Sequence, residues 1–173
     1  MYKREINIKS TKNSISLNDL AQFVPAASKK INLDAAKDVT ISKPNASLNL
    51  TNKNVNIKAG NDVTLAATGS SSDLTLGSTT TFESVGGKIN LGAGHDVLTT
   101  SNLNLNGNKT VINAGRNIDV TVTGAEARAK GLVATSGNNM TITTPGTLSV
   151  SRLISERNMT INADRVIKGD DPM

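Results

Sequence analysis

A chain of 173 residues has room for one domain or for one segment of a longer rod, and its only aromatic residues are Tyr2, Phe23 and Phe82. A core built on large rings is excluded, and with no cysteine so are disulfides and cysteine-based metal sites. The net charge of +5 is N-terminal in origin: residues 1–60 carry ten Lys or Arg against four acids, whereas residues 61–173 carry nine against ten.

Residues 1–30 read as an N-terminal cap or linker. Ile6/Ile8 and Ile15/Leu17 alternate as short strands, and Asn18 to Val24 has the pattern of a short helix capped by Asn18 or Asp19 and stopped by Pro25. The lysines of this part stand singly or in pairs, without aromatic platforms for stacking bases. They predict a solvated basic face and no nucleic-acid partner. The chain opens without the apolar stretch of a signal peptide, so if the parent protein is exported this is a mature segment of it. No window approaches the roughly 18 apolar residues of a membrane span, and no membrane insertion is expected.

From 31 to 168 the pattern changes to short alternating pairs: Ile31/Leu33, Leu48/Leu50, Val55/Ile57, Leu74/Leu76, Ile89/Leu91, Leu103/Leu105 and Leu148/Val150. Each is a strand with one apolar face and one face of Asn, Thr, Ser or Asp. Between them recurs a phrase of two small residues, a variable one, Asp or Asn, and then an alternating apolar pair. Copies start at Ala35, Ala59, Ala93, Ala114, Ser136 and Ser155, with steps of 24, 34, 21, 22 and 19. A period near 20 residues predicts about seven stacked coils, each too small to bury its own core.

The phrase sets three expectations. Val39, Val63, Val97, Ile118, Met140 and Met159 share one slot and are expected to form a single inward ladder. Gly60, Gly94, Gly115 and Gly137 share another, where positive φ would be cheap. The Asp or Asn is expected to accept backbone N–H groups in the bend before the strand. The step of 34, with Gly69 to Ser72 and the pair Leu74/Leu76, reads as one added turn without a copy of the phrase. Residues 169–173 are expected to be a loose tail.

No cofactor is expected. His95, the only histidine, fills the variable slot that holds Lys37, Asn61, Arg116, Asn138 and Arg157 in other copies. It reads as an exposed turn residue and not as a metal ligand or a catalytic base. The acids recur singly along the coils, where a sugar-cleaving site would need them clustered, so no catalytic residue is assigned. A lyase or hydrolase acting on polysaccharide is the enzyme alternative. The excursion from Gly124 to Gly131 is not demanded by the strand pattern. It presents Glu126, Arg128 and Lys130, the candidate partner-binding loop.

The Ala-Gly-x-Asp/Asn-Val-x-Leu form of the phrase and its period resemble the haemagglutinin repeats of filamentous-haemagglutinin-like exoproteins. The resemblance runs from residue 31 to about 167 and is closest at 57–65, 89–97 and 111–120. It implies an all-β chain folded as a right-handed, single-stranded parallel β-helix. It further implies a secreted or cell-surface segment of an adhesin or toxin-presenting stalk, as in contact-dependent growth inhibition. The parent would be exported through an outer-membrane transporter and would meet a receptor or glycan on a host or neighbouring cell. A trimeric β-helical spike of a phage baseplate or contractile apparatus is the structural alternative, but the uneven steps favour a coil completed by a single, monomeric chain.

Overall fold

The computed structural model describes residues 5–18, 30–51, 54–77, 80–100, 103–107, 109–122 and 131–169. Every regular element among them is a strand, and the strands pair in parallel to form a β-solenoid of about six turns with coils of roughly 23 residues. The expected period near 20 residues is thus borne out. The strands, numbered in chain order, build three walls. Wall A holds β1 (Glu5–Ser10), β3 (Lys30–Ala35), β6 (Asn54–Ala59), β9 (Thr80–Ser84) and β12 (Leu103–Asn106). Wall B holds β2 (Ile15–Leu17), β4 (Val39–Lys43), β7 (Val63–Ala67), β10 (Lys88–Ala93), β13 (Lys109–Ala114), β15 (Leu132–Ser136), β17 (Thr147–Ser155) and β19 (Arg165–Lys168). Wall C holds β5 (Leu48–Leu50), β8 (Leu74–Leu76), β11 (Val97–Thr99), β14 (Ile118–Thr121), β16 (Met140–Thr143) and β18 (Met159–Asn162).

The period-two pattern decides which side chains enter the core. On wall A, Ile8, Leu33, Ile57, Phe82 and Leu105 stack in one column, and on wall B Leu17, Ile41, Leu65, Leu91, Ile112 and Ala134 stack in another. Where the chain bends from wall to wall the inward residues shrink. Ala35, Ala59 and Ser84 fill one corner column, and Ala67, Ala93, Ala114 and Ser136 the other. A branched side chain at a bend would run into the converging strands.

The single inward ladder resolves into two. Val39 pairs with Val63 and Val63 with Ile89 on wall B, whereas Val97, Ile118, Met140 and Met159 pair in succession on wall C, continuing from Leu48 and Leu74. The phrase has moved from the corner between walls A and B to the corner between walls B and C. This explains the step of 34. From Asp62 to Asp73 is 11 residues, one wall, and from Asp73 to Asp96 is 23, one coil. Leu74 and Leu76 therefore belong to an extra wall, not to an extra turn. Met159 departs from its expected burial too: it continues the column but is 41% exposed, because no described strand covers β18.

The phrase glycines are needed for closeness and not for φ. Among the described residues only Asn45, Gly131 and Gly146 have positive φ. A Cβ at Gly60 would lie 2.1 Å from the Ala36 carbonyl oxygen of the coil beneath, and one at Gly94 would lie 2.0 Å from that of Gly69. Gly115 and Gly137 meet the coil beneath in the same way, at 2.1 and 2.2 Å. Neighbouring bends pack backbone on backbone, with no room for a methyl group.

Candidate functional site

Two corner ladders explain the Asp or Asn of the phrase. Between walls A and B, the Asp38 N–H donates to Ser14 Oγ at 3.2 Å, the Asp62 N–H to Asp38 Oδ1 at 3.2 Å, and the Lys88 N–H to Asp62 Oδ1 at 2.7 Å. Between walls B and C the same relation runs Ser47, Asp73, Asp96, Asn117, Asn139, Asn158, with each side-chain oxygen accepting the N–H of the next coil. At the bends most N–H groups still reach carbonyls of the neighbouring coil, among them Gly60 to Ala35, Gly94 to Ala67 and Arg116 to His95, but the N–H of the Asp or Asn position turns to a side chain. There a short side chain ending in an acceptor oxygen takes the place of the carbonyl. The expectation that Asp and Asn accept backbone N–H groups thus holds, but the donors come from the neighbouring coil.

Two carboxylates stack directly at each corner, Asp38 with Asp62 and Asp73 with Asp96, and only at the B–C corner does a histidine, His95, stand beside them. His95 Nδ1 is 2.8 Å from Asp73 Oδ1 and 3.7 Å from Asp96 Oδ2. The three ligand atoms lie within 4.8 Å of one another. Arg116, in the variable slot of the next coil, donates from Nε to Asp96 Oδ1 at 2.9 Å and from a terminal nitrogen to Oδ2. Asp96 is buried, and its pKa is pushed down by the Arg116 hydrogen bonds, with the Asn117 N–H adding to them against the opposing effect of burial. The same pair raises Arg116 further above its ordinary range. His95, expected to be an exposed turn residue, is thus half-buried in the bend and bonded to Asp73. Sequence reading passed it over because residues one coil apart, Asp73 and His95, are 22 positions apart in the chain.

The outer face of wall A is ordered differently. Glu5 pairs with Lys30 at 3.0 Å, Lys9 with Asp34 at 2.9 Å and Lys58 with Glu83 at 3.0 Å, each across neighbouring coils. Glu5 is pushed below the usual carboxylate range by Lys30 and then by Asn32. Between these columns runs an amide ladder, Asn56 Nδ2 to Asn32 Oδ1 at 2.9 Å and Asn32 Nδ2 to Asn7 Oδ1 at 2.5 Å. Three of the ten basic residues before position 61 are thus paired within the wall. An open cleft of about 390 Å³ between Asn45, Ser47, Gly69 and Ser70–Ser72 carries no ionisable side chain. Asp119, one of the singly recurring acids, lies exposed on wall C in register with Leu98 and Thr141.

Glu126, Arg128 and Lys130 lie outside the described residues, as does most of the expected helix from Asn18 to Val24. Among the described residues no helix is long and apolar enough to cross a membrane. Comparison with known proteins finds no matching family model, no matching curated protein and no matching solved structure.

Proposed function

We propose that this chain is a stiff, non-enzymatic segment of a secreted bacterial surface protein, a stalk that spaces or presents a functional domain and offers an extended face to a neighbouring cell or glycan. The observation that carries the reading is the outward pattern of wall A: Glu5–Lys30, Lys9–Asp34 and Lys58–Glu83 pair across neighbouring coils, and Asn7, Asn32 and Asn56 form an amide ladder between them. A repeating, self-neutralised surface suits rigidity and broad contact better than a localised reaction. Because each coil bonds only to its neighbours, the length of such a segment is set by repeat number alone.

The resemblance of the phrase to haemagglutinin repeats supports export through an outer-membrane partner and display at the cell surface. A single chain completes all three walls of each coil, which supports the stalk over a spike of three intertwined chains. Sedimentation velocity at micromolar concentration and a turnover assay on a polysaccharide panel test the proposal together. A monomer that depolymerises nothing is the expected result. A stable trimer would favour the spike, and turnover lost in Asp119→Asn or Asp96→Asn would establish a polysaccharide-cleaving enzyme instead.

A further inference from the structure

We propose that Asp73, His95 and Asp96 form a binding site for one divalent transition-metal ion of the zinc type. Three independent features of this corner lead there. The first is spacing. A tetrahedral ion with bonds of about 2.0–2.1 Å holds its ligand atoms roughly 3.3 Å apart, and the distances from His95 Nδ1 to the two carboxylate oxygens are 2.8 and 3.7 Å, the shorter one a hydrogen bond whose shared proton the ion would replace.

The second is preorganisation. Asp73 Oδ1 is held by the Asp96 N–H at 3.1 Å. Asp96 Oδ1 is held by the Asn117 N–H at 2.9 Å, by Asn117 Nδ2 at 3.1 Å and by Arg116 Nε at 2.9 Å. On Asp96 these bonds fall on Oδ1, the oxygen not assigned to the ion, and on Asp73 the single bond falls on Oδ1, the ligand oxygen itself; both fix the carboxylates in place, as outer-shell hydrogen bonds do for metal ligands. Here the solenoid supplies them, and Asp96 Oδ2, bonded to the Arg116 terminal nitrogen, lies 3.7 Å from His95 Nδ1.

The third is charge. Two carboxylates on successive coils repel each other, and Arg116 supplies one positive charge toward them. A divalent ion bridging Asp73, His95 and Asp96 would add the missing positive charge. The Arg116 terminal nitrogen competes for Oδ2, while its Nε bond to Oδ1 is compatible with a bound ion. The donor set of one imidazole and two carboxylates selects zinc and its neighbours over calcium, which takes six to eight oxygens. The other stacked acid pair, Asp38 and Asp62, sits in the same kind of ladder but has Lys37 and Asn61 in the variable slots, so it offers no imidazole.

The test is calorimetric titration of the tag-free, full-length chain with ZnCl2, joined to thermal melts with and without the ion. The expected result is saturable uptake of one ion per chain and a higher melting temperature, with CaCl2 at equal concentration leaving the melt unmoved. His95→Asn should weaken uptake by roughly tenfold or more. Because Asn61 and Asn138 already fill this slot in other coils, that variant is expected to fold. Arg116→Gln should tighten uptake by removing the competing cation, and Asp38→Asn should leave it unchanged. Failure of the intact chain to take up zinc, uptake undiminished in His95→Asn, or equal affinity for calcium would each overturn the assignment.

Discussion

The coils before residue 100 and those after it solve the same packing problem with different success. In the early coils the corner steps are 23 to 26 residues, and the buried hydroxyls of Thr80 and Ser84 reach carbonyl oxygens, those of Gly77 at 2.8 Å and Asn61 at 2.5 Å. In the late coils the steps fall to between 19 and 22, and the hydroxyls of Thr110, Ser136, Thr144 and Ser151 are enclosed without a hydrogen-bond partner. At the end of the stack Ile154, Met159, Val166 and Ile167 are all more than a third exposed. A solenoid has no single core that averages out such differences. Each coil is only as stable as its own contents and its two interfaces.

The largest expected effect comes from charging the well-packed part. Val63 is fully buried between Val39 and Ile89 on wall B. Val63→Asp would enclose a carboxylate with no cation in its column, costing about 4 kcal/mol or more. Met159→Asp in the last coil keeps water on the new charge and should cost far less, although both residues fill the same slot of the phrase. Equal losses of melting temperature in the two variants would show that the late coils are as closed as the early ones.

How far the sequence discloses this molecule follows from the range of each signal. Alternation within a strand is local, so the apolar pairs from Ile6/Ile8 to Leu148/Val150 and the parallel solenoid they imply are legible directly. Which wall a strand joins depends on what precedes it by a whole coil. The phrase looks the same at Val63 and Val97, yet one belongs to wall B and the other to wall C, because only the corner chemistry is repeated and the chain offers two such corners. The meeting of Asp73, His95 and Asp96 was hidden for the same reason. It depends on stacking register, and His95 shares its slot with lysine, arginine and asparagine, none of which suggests a ligand.

Next in size is a test of the corners. Gly94→Ala would set a methyl group 2.0 Å from the Gly69 carbonyl oxygen and 2.6 Å from its carbon, both immovable backbone, and should cost roughly 2 kcal/mol. At Gly92, two residues earlier in β10, a methyl group would meet nothing within 4 Å. Gly92→Ala is therefore expected to be neutral or to stabilise by a few tenths of a kcal/mol by restricting the unfolded chain. Chemical denaturation of both variants measures the difference. Equal midpoints would mean that the bends can spread apart and that close backbone stacking is not what the phrase preserves.

The smallest effect has the most diagnostic sign. Thr80 and Thr110 are both buried threonines on inward positions, and valine has nearly the same shape as threonine. In Thr80 the hydroxyl donates to the Gly77 carbonyl at 2.8 Å, so Thr80→Val removes that bond and should destabilise by about 1 kcal/mol. The Thr110 hydroxyl is enclosed beside Ile89 with no partner. Its desolvation is uncompensated in the folded chain, and Thr110→Val removes that cost along with the hydroxyl. The expected result is a gain of about 1 kcal/mol, read as a higher denaturation midpoint with an unchanged slope. One substitution made in two neighbouring coils should therefore move stability in opposite directions. A loss in both variants would mean that Thr110 has a hydrogen-bond partner in solution, an enclosed water among the candidates, and that the late coils are as fully satisfied as the early ones.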